Sequence, residues 1–162
     1  MPIADCRFAV FSVVAPTTTM KPEDLKKRTK QFALRIMKLV AALPNSVQGR
    51  AIANQLVRAG TAVAANYRAA CRGRSKAEFI AKLGTVEEEA DESAFWMELI
   101  IEAELLKAQR VQPLMTEAIE LRKIMASSRI SASKALRQSK ASLDTRASRA
   151  NSNRQSAIGN RQ

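Results

Sequence analysis

From Pro22 to Met125 the apolar side chains recur three and four residues apart, and the recurrence breaks only near Pro44-Asn45, near Gly73 and between Gln109 and Pro113. That spacing stacks large side chains on one face of a helix and does not suit a strand, whose faces alternate every second residue. The chain therefore reads as four amphipathic helices joined by short links. The expected architecture is all-α, an up-down-up-down four-helix bundle over residues 21–126.

Pro22 suits the first turn of a helix, where its missing N–H costs nothing, and Glu23 and Asp24 complement the positive end of the helix dipole. Leu25, Thr29, Phe32, Ile36, Leu39, Val40 and Leu43 form the stripe of this first helix, which stops at Pro44-Asn45. Asn45 or Ser46 caps the second, whose stripe is Ile52, Leu56, Ala59, Val63, Tyr67 and Ala70. Ser75-Lys76-Ala77-Glu78 is a capping box: the Ser75 hydroxyl takes a first-turn N–H and Glu78 reaches back to the cap. The third helix then reads on to about Ala108 with Phe79, Leu83, Val86, Ala90, Ala94, Met97, Ile101 and Ala108 inward. Pro113 opens the fourth, with Leu114, Ala118, Leu121 and Met125 on its apolar face.

The ends differ from the body. Residues 8–15, FAVFSVVA, are too few to span a bilayer, and Arg7 alone is a poor charged start for a signal peptide. Residues 1–20 are expected to be a disordered leader, with Met20 as the true translation start. Residues 127–162 are Ser, Arg, Ala, Asn and Gln with few large apolar groups. They read as a basic low-complexity tail that cannot bury enough surface to offset its ordering entropy.

Charge separates the same regions. The whole chain is +12, from 27 Lys and Arg against 15 Asp and Glu. The tail holds +7 of this, residues 21–82 hold +11, and residues 83–126 hold −6. Histidine is absent, which removes the commonest general base, the Ser-His and Cys-His pairs and the usual zinc ligand. Cys6 and Cys71 make neither a disulfide scaffold nor a CxxC metal pair and fit a reduced, cytoplasmic setting. The acids Glu87, Glu88, Glu89, Asp91 and Glu92 lack the histidine that a di-iron bundle needs. No phosphate-cradling glycine loop is present either, so the chain is expected to be no enzyme, with no metal and no cofactor.

Three surfaces are candidates for function. Arg50, Arg68 and Arg72, with Arg58 somewhat round the barrel, project away from the core stripe of the second helix, and Arg74 and Lys76 extend the set into the next turn. Together with the basic tail they suit the phosphates of RNA or DNA; the other readings are a solvated face or pairing with the acid run in another subunit. Phe95, Leu99 and Leu106, with Trp96 on the flank, form a second apolar stripe on the third helix. An oligomer interface and partial cover by neighbouring helices are the two readings. Asn66, at the edge of the second helix's core stripe, reads as a satisfied amide fixing helix register, with ligand binding as the alternative.

The run AVAANYRAACRGRSKAEFIAKLGTVEEEADESAFWMELIIEAELL, residues 62–106, resembles the "four helix bundle protein" family, also called 23S rRNA-intervening-sequence proteins. The resemblance rests on Asn66-Tyr67-Arg68, Ala70-Cys71-Arg72, Ser75, Glu78-Phe79-Ile80, Glu89-Ala90-Asp91-Glu92-Ser93 and Phe95-Trp96-Met97-Glu98-Leu99, in order and spacing. FALRIMKLVAALPNS is also similar, so the likeness covers about residues 20–126. Ala69 stands where one subgroup, reading ANYREACR, has Glu. The resemblance implies a left-handed bundle assembled as a ring-like homopentamer, without an attached enzyme activity. It also implies relatives encoded in insertions within bacterial 23S rRNA genes. A related branch serves diversity-generating retroelements, binding reverse transcriptase and nucleic acid. Reverse transcriptase or another protein is thereby a further expected partner, and a membrane is not.

Overall fold

Buried side chains on all four helices follow a seven-residue repeat. In α1 (Pro22–Val40) they are Leu25, Thr29, Phe32, Ile36 and Leu39, with Ala33 beside them. In α2 (Val47–Ala70) they are Gly49, Ile52, Leu56, Ala59, Gly60, Val63, Tyr67 and Ala70. In α3 (Lys76–Glu102) they are Phe79, Leu83, Val86, Ala90, Ser93, Met97 and Ile100, alternately four and three apart without a break. In α4 (Ala108–Gly159) they are Val111, Leu114, Ala118, Leu121, Met125 and Ser128. A period of 3.5 residues keeps such a seam facing its partners only when the helices wrap left-handedly. Each helix packs on the next in the chain, and α4 closes on α1 through the thinnest seam. The result is the left-handed up-down-up-down four-helix bundle. The computed structural model describes residues 20–159, so the leader expected over residues 1–20 lies almost wholly outside the described residues.

The half-unit difference between 3.5 and 3.6 accounts for one departure from the sequence reading. A helix projected at 100° per residue drifts about 20° per heptad from the real seam, or about 60° over three heptads. Ala94 and Ile101 accordingly move to half-buried flanks, and Ser93 and Ile100 take the seam. The Ser and Thr hydroxyls that reach the core are satisfied within their own helices. Thr29 Oγ1 donates to the Leu25 carbonyl (2.9 Å), Ser93 Oγ to Glu89 (2.8 Å) and Ser128 Oγ to Ile124 (2.6 Å).

Helix limits differ too. α3 ends at Glu102 rather than Ala108, because Ala103 to Leu105 close it with paired turn bonds. The Glu104 N–H donates to the Ile101 carbonyl (3.1 Å) and the Leu105 N–H to Ile100 (3.0 Å), the Schellman pattern. Glu104 takes the left-handed position at φ 54, where glycine is usual, so the sequence carries no stop signal there. α4 begins at Ala108, and Pro113 lies inside it rather than at its start. Val111, fully buried, holds that opening turn on the core. Nor does α4 stop near residue 126: it runs to Gly159, through the segment expected to be unstructured. No Gly or Pro interrupts residues 126–158, and a helix growing from a packed nucleus needs only propagation, which Ala, Lys, Arg and Gln support without any core of their own.

α1 and α2 approach closely where Gly60 faces Ile36. A Cβ at Gly60 would lie 2.6 Å from Ile36 Cγ1 and 2.8 Å from Cγ2. Ile36 is wholly buried and branched at Cβ, so it has nowhere to move. Gly60→Ala should therefore lower stability by about 1–3 kcal/mol, despite a helix-propensity gain of about 1 kcal/mol. Thermal unfolding followed by circular dichroism measures this, and an unchanged or raised Tm contradicts the close approach. Glu104→Gly should have the opposite sign, raising stability by about 1 kcal/mol as the left-handed strain is relieved. The same melting experiment with a lowered Tm contradicts that.

Candidate nucleic-acid interface

Antiparallel packing sets the first turns of α1 beside the last turns of α2. Lys26, Lys27 and Lys30 from α1 and Arg68 and Arg72 at the end of α2 line one open groove of about 300 Å³ together with a single acid, Glu23. Glu23 is already engaged, its Oε1 2.7 Å from Lys26 Nζ. Arg68 and Arg72, four residues apart, are both exposed. The α1 lysines were not among the candidates read from the sequence; the signal for them was the antiparallel order itself, which brings the start of one helix to the end of the next.

The six cations expected to act together do not form one patch. Arg68 and Arg72 line the groove, and Arg74 and Lys76 follow in the adjoining turn. Arg58, farther along α2, faces α3, where its charge acts on Glu89. Arg50 is at the far end of α2, about 27 Å from Arg68 along the helix. There it donates to Asn45 Oδ1 (2.9 Å) and to the Asn45 carbonyl (3.3 Å), bracing the α1–α2 turn. A smaller cleft of about 250 Å³ near that end gathers Arg35, Lys38 and Arg110 over Leu39 and Leu114.

Several of the acids are used inside the chain. Asp91 Oδ1 accepts from Arg122 Nη1 (2.6 Å) and Glu87 Oε2 from Arg129 Nε (2.8 Å), both across the α3–α4 seam. Arg28 joins α1 to α4 by a two-point bond, Nε to Glu117 Oε1 (2.7 Å) and Nη2 to Oε2 (2.9 Å). The hydrogen bond to Glu117 raises the Arg28 pKa against the opposing effect of burial, and that to Glu87 does the same for Arg129. Glu89 is pushed up, first by burial and then by its neighbour Glu92, while Arg58 pulls it down. Glu87, Asp91 and Glu117 thereby tie α4 to α3 and α1.

The motif residues serve the α2–α3 corner. Ser75 Oγ accepts from the Glu78 N–H (3.1 Å), while Glu78 Oε2 accepts from the Arg74 N–H (2.8 Å), one residue before the cap of an ordinary capping box. Tyr67 and Phe79 are buried in the core on either side of that corner. Asn66 is half-buried and its Nδ2 donates to the Ala62 carbonyl (3.1 Å). The second apolar stripe is less continuous than its spacing implied. Phe95 is 49% exposed and meets Trp96 edge-on at 5.2 Å, and Trp96 Nε1 donates to Glu92 Oε1 (2.9 Å). Leu99 and Leu106 instead pack partly on the core, and Leu106 lies in the α3–α4 turn, beyond the end of α3.

Among the described residues no helix is long and apolar enough to cross a membrane. Among curated proteins none matches the chain. A solved structure from Bacteroides thetaiotaomicron, described as a protein of unknown function from the S23 ribosomal protein family, is 32% identical. The match covers 68% of this chain and 98% of that one with a TM-score of 0.61. Residues 23–127 match the family described as 23S rRNA-intervening sequence protein. With most of the bundle inside that match, and with the same fold in a relative at this identity, the chain belongs to the 23S rRNA-intervening sequence protein family.

Proposed function

We propose that this chain is a non-enzymatic, oligomeric bundle protein of the cytoplasm that binds RNA or DNA through the basic face of α1 and α2. One observation carries the reading: five cations and one already paired acid line a single groove. Phosphate contacts need clustered cations more than any sequence motif, and each contact releases counterions, which supplies affinity without base recognition. The homopentamer remains what the family resemblance implies. Non-enzymatic status rests on the residue chemistry, since without histidine no acid and base pair is evident.

A second reading is an assembly module whose partner is a protein, such as a reverse transcriptase, without direct nucleic-acid contact. The half-exposed Phe95 against Trp96 favours it, because large aromatics at a surface mark contact sites. Pulldown of one protein without nucleic acid supports this second reading.

The first reading predicts that affinity for a mixed-sequence nucleic acid falls steeply as salt rises. Reversing both groove arginines, Arg68→Glu with Arg72→Glu, should weaken binding at least tenfold and reduce the log–log salt slope by about 2. Lys123→Glu, on the exposed side of α4 beside Glu120, should leave the slope nearly unchanged. Fluorescence anisotropy across a salt series measures all three proteins, and a flat salt response of the parent chain rules out the phosphate mechanism.

A further inference from the structure

α4 is 52 residues long, against 19, 24 and 27 for α1, α2 and α3. That is about 78 Å of helix, roughly twice the length of α3. The Asp91–Arg122 and Glu87–Arg129 pairs set the antiparallel register of α3 and α4. Continued at the helical rise, this register places the start of α3 level with about residue 138 of α4. Burial changes there: Ala132, Ser133, Leu136 and Ser139 are half-buried, and Lys140, Ala141 and Ser142 are exposed. Beyond that level α4 continues as a single helix with none of the other described helices beside it. It leaves the bundle past the start of α3, the end that also carries Arg72, Arg74 and Lys76.

The projecting helix has no apolar seam to offer. Past Ser128 the seven-residue positions are Ala132, Ala135, Ser139 and Ser142, small or hydroxyl-bearing, which cannot hold a coiled coil. What it carries is charge. Lys134, Arg137, Lys140, Arg146, Arg149 and Arg154 follow one another against the single acid Asp144. Lys134, Arg137 and Lys140 are exposed. Residues 127–162 contain no Phe, Tyr or Trp, so unstacked bases of a single strand would find no ring to stack on. From Lys134 to Arg154 the helix spans about 30 Å, close to the roughly 34 Å turn of a nucleic-acid duplex.

We infer that the projecting part of α4 is a second phosphate-binding element, a basic helix that lies along a nucleic-acid duplex and extends the α1–α2 groove beyond the bundle. The inference rests on the nucleic-acid reading of the groove, and its test separates the two. The probes are a mixed-sequence DNA duplex of about 20 base pairs and a single strand of one of its sequences, titrated across a salt series. The variant is the full-length chain with Lys134, Arg137, Lys140, Arg146 and Arg149 all changed to Gln, which keeps good helix formers in place. Its thermal transition serves as the check that the bundle is intact.

Duplex affinity should fall at least thirtyfold and the salt slope by about 4, while single-strand affinity changes much less. Unchanged duplex affinity and slope in this variant, with Arg68→Glu/Arg72→Glu still weakening binding, overturns the arm and leaves the groove standing. A parent chain that binds neither probe overturns both. Equal losses for duplex and single strand overturn the duplex assignment. A change in sedimented mass without a change in duplex affinity places the arm on another copy of the chain instead, and overturns the inference.

Discussion

The buried seam repeats every seven residues, and that period decides which side chains are left to face water. Because the repeat is 3.5 rather than 3.6, the helices coil around one another and hold the same face inward over their packed length. The seam tolerates little variation. Gly60 is there because Ile36 occupies the space a side chain would need, and three hydroxyls enter only by bonding back to their own helices. With the inward face so determined, Lys26, Lys27 and Lys30 have one place to go, and antiparallel order sets them beside Arg68 and Arg72.

Electrostatics follows from that packing rather than directing it. The −6 of residues 83–126 invites the thought of complementary subunits, yet two of its acids are bound to α4 and a third to α1. The Arg28–Glu117 bond spans the thinnest seam of the bundle, where few apolar contacts are available to hold α1 against α4. A two-point guanidinium bond is directional in a way apolar packing is not, so it also sets how far the two helices can slide. The other acids of that segment are not so used: Glu88, Glu92, Glu98, Glu102 and Glu104 are exposed, so α3 presents an acidic side to its surroundings while α1 and α2 present a basic one.

Much of the architecture was legible in the residues, and the failures have definite causes. The stripe of α2 was read residue for residue and that of α1 as far as Leu39, whereas Val40 is half-buried and Leu43, also half-buried, lies beyond the helix; over so few turns a drift of about 20° per heptad stays small on α1. On α3 the same drift accumulates, and Ser93, a polar residue in a core position, has no hydrophobic signal to correct it. The early end of α3 was hidden because Glu104 stands where glycine ordinarily announces a stop. The length of α4 was missed by reasoning about core formation, when a helix already nucleated needs no further core. For the basic face the residue types were visible but their grouping was not. Arg50 and Arg68 look alike in sequence, yet one braces a turn and the other lines the groove.

The family match ends at residue 127, in the middle of a helix that continues to Gly159. Helices fray from their ends inward, over the last turn or two, and here the free end lies far from the last full core layer at Met125. The extension therefore acts as a buffer: opening that starts near Gly159 is spent first on turns beyond about residue 140, which have no other described helix beside them, before it reaches Ala132 and Ser128 at the edge of the core. A chain ending where the family resemblance ends would bring that fraying directly onto Leu121 and Met125.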